Sequence, residues 1–296
     1  MQGLLLLDKP SGITSFGAVA RIRRLSHEKR AGHTGTLDPM ATGVLPILLG
    51  RATALSSYLL EADKTYIASV KLGVATDTLD ITGEITDEKP VSADNSAVLS
   101  VLESFVGKQL QVPPIYSALK HNGERLYNIA RRGETADIPP REIEIFSVKQ
   151  VSPLKNNEFS FEARVSKGTY IRSLVRDIGE RLGTCAVLTE LERTNTAGFD
   201  ISSCVSLEGL TEENISEYLL PADRAVMHLK RVNVTKKQAV RFSNGGQLDL
   251  DRLKIEDKTD KTLYRVYSGQ TFLGLGIIET DKNQLAVKCI IQAVSL

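Results

Sequence analysis

The chain has 296 residues, more than one compact core usually holds, so a large domain followed by a small one is the natural division, and peptide hormones, knottins and isolated binding modules are excluded. Hydrophobic residues make up 42% and charged residues 25%, a globular balance that excludes a disordered scaffold or a collagen-like polymer. With 37 Lys and Arg against 36 Asp and Glu the formal charge is only +1, so a polyanionic partner has to be met by local basic patches. Cys185, Cys204 and Cys289 are widely spaced and include no C-x-x-C pair, which disfavours zinc clips and disulfide frameworks. The apolar runs are short: Leu4 to Leu7 stops at Asp8, and Val44 to Leu49 contains Pro46. A soluble protein of a reducing compartment, the cytoplasm, is expected.

The first unusual stretch is AGHTGTLDPMATGVLPILLGRAT, from Ala31 to Thr53. Its glycines, with His33, Thr34, Thr36, Asp38 and Thr42, make a loop too polar for core, while the apolar run behind it has to be core. An acid is thus held on a stiff loop beside a buried element, although Asp38 before Pro39 also suits a simple turn. No Gly-Lys-Ser/Thr follows, so a phosphate-cradling loop is a poor alternative. Tyr66, Ala68, Val70 and Leu72 alternate with Thr65, Ile67, Ser69 and Lys71, which predicts a strand with one buried face. On that face Tyr66 reads as packing or as chemistry. Asp77, Asp80 and Gly83 lack the spacing of a calcium loop.

Val98, Leu99, Leu102, Phe105 and Val106 predict a helix ended by Gly107. Between Val112 and Arg141, Pro113-Pro114 and Pro139-Pro140 bracket a basic segment with Lys120, Arg125, Arg131 and Arg132, read as an insertion carrying one short helix. Phe159, Phe161, Ala163 and Val165 predict a second half-buried strand, suited to antiparallel sheet. Ile171, Leu174, Val175, Ile178 and Leu182 predict a helix ended by Gly183, with Tyr170 and Arg172 in its first turn. Arg172 lies off the apolar stripe, where a cation opposes the helix dipole. It is either a solvated surface residue or one rewarded by a buried carboxylate that matches its planar fork.

After Pro221 the chain turns β-rich, with TLYRVYS, TFLGLGIIE and LAVKCII separated by turn residues. This divides the chain into domains 1–227 and 228–296. Arg21, Arg23, Arg24, Lys29 and Arg30 form one basic cluster, the insertion a second, and Lys230, Arg231, Lys236, Lys237 and Arg241 a third; all are candidate phosphate contacts. His33, His121 and His228 lack ligand-like spacing, so no metal site is expected.

Four ordered stretches carry a resemblance. LLLLDKPSGITSF, RAGHTGTLDPMATGVLPILLGRAT, KTYIASVKLGVATDTLDITGE and VSKGTYIRSLVRDIGERLG closely resemble the motifs of the bacterial TruB family of tRNA pseudouridine synthases. VPPIYSALKHNGERLYNIARRGE resembles that family's RNA-gripping insertion. The resemblance implies an α+β fold: a catalytic domain with a mixed, mainly antiparallel sheet flanked by helices, plus a small C-terminal β-rich PUA-like domain. It implies conversion of uridine 55 in the T-loop of tRNA to pseudouridine by base flipping, glycosidic cleavage and C–C bond formation, with no metal or organic cofactor, and a role in tRNA folding besides.

By the same resemblance Asp38 is the essential carboxylate, Tyr66 stacks on the target base and acts at C5, and Arg172 pairs with Asp38. His33 supports the T-loop once the base has left its stack, and Tyr170 and Leu191 wall the uracil pocket. Lys9 belongs to the first motif, beside the site, and with Lys167, Lys120 and Arg132 completes the substrate-binding set. The implied partner is tRNA, held at the T-loop and, through the C-terminal domain, at the acceptor end; a monomer without guide RNA or membrane attachment is expected. Ala54 departs from the family pattern, in which many relatives carry Lys, and Arg51 is a base that could replace it. Burial would raise an Asp above about 3.9, but an adjacent guanidinium lowers it by about 1–3 units, so Asp38 is expected to stay charged. A protein that only binds tRNA or assists its folding, or an enzyme for another RNA, are the competing readings.

Overall fold

The computed structural model describes residues 1–121 and 123–294. An eleven-stranded sheet forms its body. The main strands are β1 (Gly3–Lys9), β2 (Thr42–Leu49), β3 (Lys64–Leu72), β4 (Gly107–Gln111), β5 (Arg141–Lys155), β6 (Glu158–Val165) and β7 (Ala186–Thr196), in the spatial order β1-β2-β7-β3-β6-β5-β4. These neighbours are antiparallel except β2 and β7, which run parallel where Glu192 faces Thr42 and Arg193 faces Gly43. The sheet is therefore mixed and mainly antiparallel, as the resemblance implies.

Strict alternation of buried and half-buried residues in β3 matches the sequence period, and Phe159, Phe161, Ala163 and Val165 of β6 are buried beside it. The helices that accompany the sheet include α1 (Ser15–Ser26), α2 (Asn95–Glu103), α3 (Leu126–Arg131) and α4 (Ile171–Arg181), besides one short turn of helix at Ser56–Leu60. Ile171, Leu174, Val175 and Ile178 of α4 lie in the same core cluster as Ala68, Val70 and Phe161. Helix α2 stops at Glu103, one turn short of the expected end, and Leu99 and Val106 are exposed. Val98, Leu102 and Phe105 are buried in the core, with Val101 packed at its edge, and the Arg181 guanidinium covers the Phe105 ring at 3.7 Å. The insertion leaves the sheet at Gln111 and returns at Arg141, residues that pair across β4 and β5; it carries α3 and a two-stranded ribbon, Lys120–His121 with Glu124–Arg125.

Strands β8 (Lys230–Asn233), β9 (Leu248–Asp249), β10 (Leu263–Ser268), β11 (Thr271–Glu279) and β12 (Gln284–Ile290), with helix α5 (Lys236–Ser243), make a separate five-stranded sheet unit. It has its own core around Val232, Phe242, Val266 and Leu273. Through Tyr267, Phe272, Leu275 and Ile291 it also packs on Leu4, Leu6, Val44 and Leu48 of β1 and β2. Leu5, Leu7, Leu45, Ile47 and Leu49 of the same strands bury on the opposite face. Burial on both faces is why β1 and β2 read as unbroken apolar runs rather than alternating ones. Among the described residues no helix is long and apolar enough to cross a membrane.

The β2–β7 contact depends on Gly43, whose φ of +100° lies in the left-handed region and whose missing Cβ would collide with the Arg193 backbone. Gly43→Ala should lower the unfolding free energy by at least about 1–3 kcal/mol, read as a lower denaturant midpoint. An unchanged midpoint would mean that the two strands can separate there without cost.

Candidate active site

Asp38 sits in the loop between the short strand Ala31–His33 and β2. Two buried side chains hold that loop. The Ser15 hydroxyl, at the start of α1, donates to the Leu37 carbonyl at 3.0 Å and accepts from the Leu37 amide at 2.8 Å. Lys9, fully buried at the end of β1, donates to the carbonyls of Pro10 at 2.7 Å, Ile13 at 2.8 Å and Pro39 at 3.3 Å. Both the first motif and the glycine-rich loop are thereby fastened to one ammonium.

Arg172 is the second residue of α4, with Tyr170 as N-cap. It grips Asp38 with a two-point fork, Nε to Oδ2 at 2.8 Å and Nη2 to Oδ1 at 3.2 Å. The same guanidinium donates to the carbonyls of Thr78 and Tyr116, both at 2.9 Å, and has an Asp80 oxygen at 3.8 Å. Its side chain is 5% exposed, whereas that of Asp38 keeps 32% of its surface. Arg172 is thus the buried anchor and Asp38 the group open to a ligand. The first-turn cation is rewarded by five oxygens, which decides against a solvated arginine.

Asp80 was not expected here. The sequence showed it in a failed calcium pattern and, with no role of its own, within the third motif, yet it is 5% exposed and fixed by the Thr82 amide at 3.0 Å and the hydroxyls of Thr78 and Thr82 at 3.0 and 2.5 Å. Leu79 before it takes a left-handed φ of 64°, a conformation that a bulky residue adopts only when its surroundings impose it. Arg193 was missed as well. It is fully buried, donates from Nε to Val44 O at 2.8 Å and from Nη2 to Gly35 O at 3.2 Å, and leaves Nη1 without a partner. Its spacing of two from Leu191 in a strand was the available signal, since it puts a cation on an apolar face.

The electrostatics differ from the simple ion-pair expectation. Burial pushes the Asp38 carboxyl above the ordinary Asp range, and Asp80 adds to that; Arg172 and Lys9 pull the other way without reversing it. Lys9 is lowered to about 8 by burial, with Asp38 opposing and Arg193 reinforcing the shift. Burial, reinforced by Arg193, lowers His33, whose Nδ1 is buried without a partner. Burial raises the Tyr170 hydroxyl.

Tyr66 and Leu191 are both buried in the cluster that holds Leu37 and Ile171; Tyr66 pairs with Arg193, and Leu191 with Ala68, across β3 and β7. These residues therefore share one corner with the Asp38 loop. The remaining lysines and arginine do not converge there. Lys167 pairs with Glu61, Lys120 lies exposed on the insertion ribbon, and Arg132 is engaged by Glu124 and Glu134. Arg51 lines a separate cleft of about 630 Å³ with Arg30, Ala54 and Asn244. Among the described residues no three His, Cys, Asp or Glu side chains come close enough to hold a metal ion.

Residues 23–171 match the family model described as TruB family pseudouridylate synthase (N terminal domain), and residues 172–227 match that of the tRNA pseudouridylate synthase B C-terminal domain. The chain belongs to the TruB family of pseudouridylate synthases. It is 41% identical over 281 residues to the tRNA pseudouridine synthase B of Clostridium tetani, covering 93% of this chain and 95% of that one. Against the tRNA pseudouridine synthase B of Burkholderia mallei it is 42% identical over 290 residues, covering 97% and 95%. Among solved structures, a chain of a Cbf5-Nop10-Gar1 complex superposes with a TM-score of 0.71 at 26% identity, covering 99% of this chain and 84% of that one. The junction between the two family models falls between Ile171 and Arg172, inside α4, and β7 of the second segment lies in the middle of the first sheet. The two matched segments thus contribute strands to one sheet.

Activity that needs an ionised Asp38 should fall as pH drops through a value above the ordinary Asp range. Because Arg172 lowers that value, Arg172→Gln should move the acid limb of the residual single-turnover rate toward higher pH. An acid limb that stays in place would disconnect the guanidinium from the carboxylate that titrates.

Proposed function

We propose that this chain isomerises uridine 55 in the T-loop of tRNA to pseudouridine, with Asp38 as the catalytic carboxylate. The observation that carries the reading is the two-point Arg172–Asp38 pair, in which the buried partner presents an acid with an open face. Its relatives' names support tRNA as the substrate.

The reaction breaks the N1–C1′ bond, turns the uracil over and joins C5 to C1′; N1 gains a proton and C5 loses one. A nucleobase inside a folded loop is out of reach, so it is flipped out at a cost of about a few kcal/mol. His33 then supports the vacated stack, Tyr66 takes the face of the base, and Tyr170 and Leu191 wall the uracil so that the detached fragment stays in place. Asp38 supplies the ionised oxygens at the sugar and base, whether it attacks C1′, adds at C6 or takes a sugar proton. Arg172 holds those oxygens in position with its planar fork. Tyr66, or a water it holds, accepts the C5 proton, a transfer that a positioned base accelerates by about 10²–10⁴-fold.

Lys120 of the basic insertion and Lys167, in the loop that leads into α4, grip the RNA backbone; Arg132 would join only by exchanging its two carboxylates for phosphate. Residues 228–296 act as a second, PUA-like RNA-binding domain toward the acceptor end, supported by their separate sheet and by exposed Lys236 and Lys237 at the start of α5. The enzyme works in the cytoplasm, alone and without guide RNA.

Asp38→Asn should bind tRNA with near-wild-type affinity while releasing no C5 hydrogen from C5-labelled substrate. Joint loss of binding and release would make Asp38 a structural residue. Tyr66→Phe keeps the ring and should slow release by about tenfold or more; a wild-type rate would assign the C5 proton to another group.

A further inference from the structure

Gln111 is a glutamine 3% exposed, in a position where its polar amide has to be satisfied internally. Both ends of that amide are spent on one residue. Nε2 donates to the Tyr170 carbonyl at 3.1 Å, and Oε1 accepts from the Tyr170 amide at 2.9 Å. The side chain thus mimics a strand neighbour and clamps the peptide at the N-cap of α4, where no side-chain cap exists. Gln111 is also one foot of the insertion, paired with Arg141, the other foot. Further bonds run the same way: Ser173 Oγ donates to Val112 O at 2.9 Å, and Arg172 Nη2 to Tyr116 O at 2.9 Å.

We infer that Gln111 is a positioning residue, which locks the foot of the insertion to the peptide of Tyr170 so that the pocket wall and, two residues on, Arg172 are presented to Asp38 in register. The inference rests on the reading of Asp38 and the insertion given above. It treats the clamp as a link between two binding functions, RNA held by the insertion and nucleoside held in the site. Each amide bond is modest, but reactive geometry is sensitive: a displacement of about 1 Å can cost on the order of 10²-fold in rate.

Gln111→Met removes both hydrogen bonds at nearly constant volume. With saturating tRNA its single-turnover rate should fall by at least about tenfold. Affinity for an isolated T-arm stem-loop should stay within about threefold, and exchange of the Tyr170 backbone amide should accelerate. A folded Gln111→Met variant with wild-type turnover, or one whose loss lies entirely in affinity, would overturn the inference. Gln111→Glu keeps the native shape and decides the matter should the first variant fail to fold. Its carboxyl, when protonated, donates to the Tyr170 carbonyl and accepts from the amide as the native side chain does; when ionised it repels that carbonyl. Its turnover, divided by that of the wild type, should therefore be about fivefold or more higher on the acid side of that carboxyl's own titration than on the alkaline side. A flat ratio would overturn the inference. If the wild type itself forms no pseudouridine, the functional reading fails, and Tyr170 amide exchange alone still tests the clamp.

Discussion

A buried guanidinium facing a half-open carboxylate is the constraint that organises this protein. Removing a charge such as that of Arg172 from water is costly unless its donors are all met and its partner is held in place. The fold meets that demand by bringing three remote segments to one side chain: the glycine-rich loop through Asp38, the Thr78–Asp80 turn, and the foot of the insertion through Tyr116. No two of these are neighbours in sequence, so the site exists only when the whole sheet is assembled. The arrangement also divides the labour between partners, since Arg172 is sealed in while Asp38 keeps its outer surface.

The surrounding charges act on the carboxylate in opposite directions. Burial and Asp80 favour its neutral form, and Arg172 and Lys9 favour its ionised form. Lys9 does double service, for its ammonium satisfies three backbone carbonyls while adding positive potential near the acid. Arg193 adds a further buried cation that has no carboxylate within salt-bridge range among the described residues, and it holds Val44 and Gly35 by their carbonyls. Such a group ties the polar loop to β7 through main-chain acceptors alone, and its field adds to the lowering that burial imposes on Lys9 and His33.

The central strands serve two cores at once. β1 and β2 present one set of leucines to the helices and another to the five-stranded sheet. The second unit is thus not a free appendage, although it has a core of its own. Rigidity of β2 matters to the site because the Asp38 loop feeds directly into it, with Gly43 allowing β7 to approach within strand-pairing distance.

Much of this was legible in the amino-acid order. Period-two alternation located β3 and β6, the apolar stripe with Gly183 located α4, and the Pro-Pro brackets located the insertion, because local geometry and burial of one face leave a direct trace in the pattern. Motif resemblance singled out Asp38, Tyr66 and Arg172. What the pattern left open was the far end of α2, where burial of Phe105 rather than helix propensity set the boundary, and the company that polar residues keep. Asp80, Arg193 and Gln111 have ordinary surface chemistry when read one by one. Each also meets a partner far along the chain, Asp80 and Gln111 through α4 and Arg193 through the glycine-rich loop. Side-chain identity fixed which groups could pair, but long-range strand order decided which of them meet, and with that whether the acid of the polar loop would be one raised by burial or one lowered by its cation.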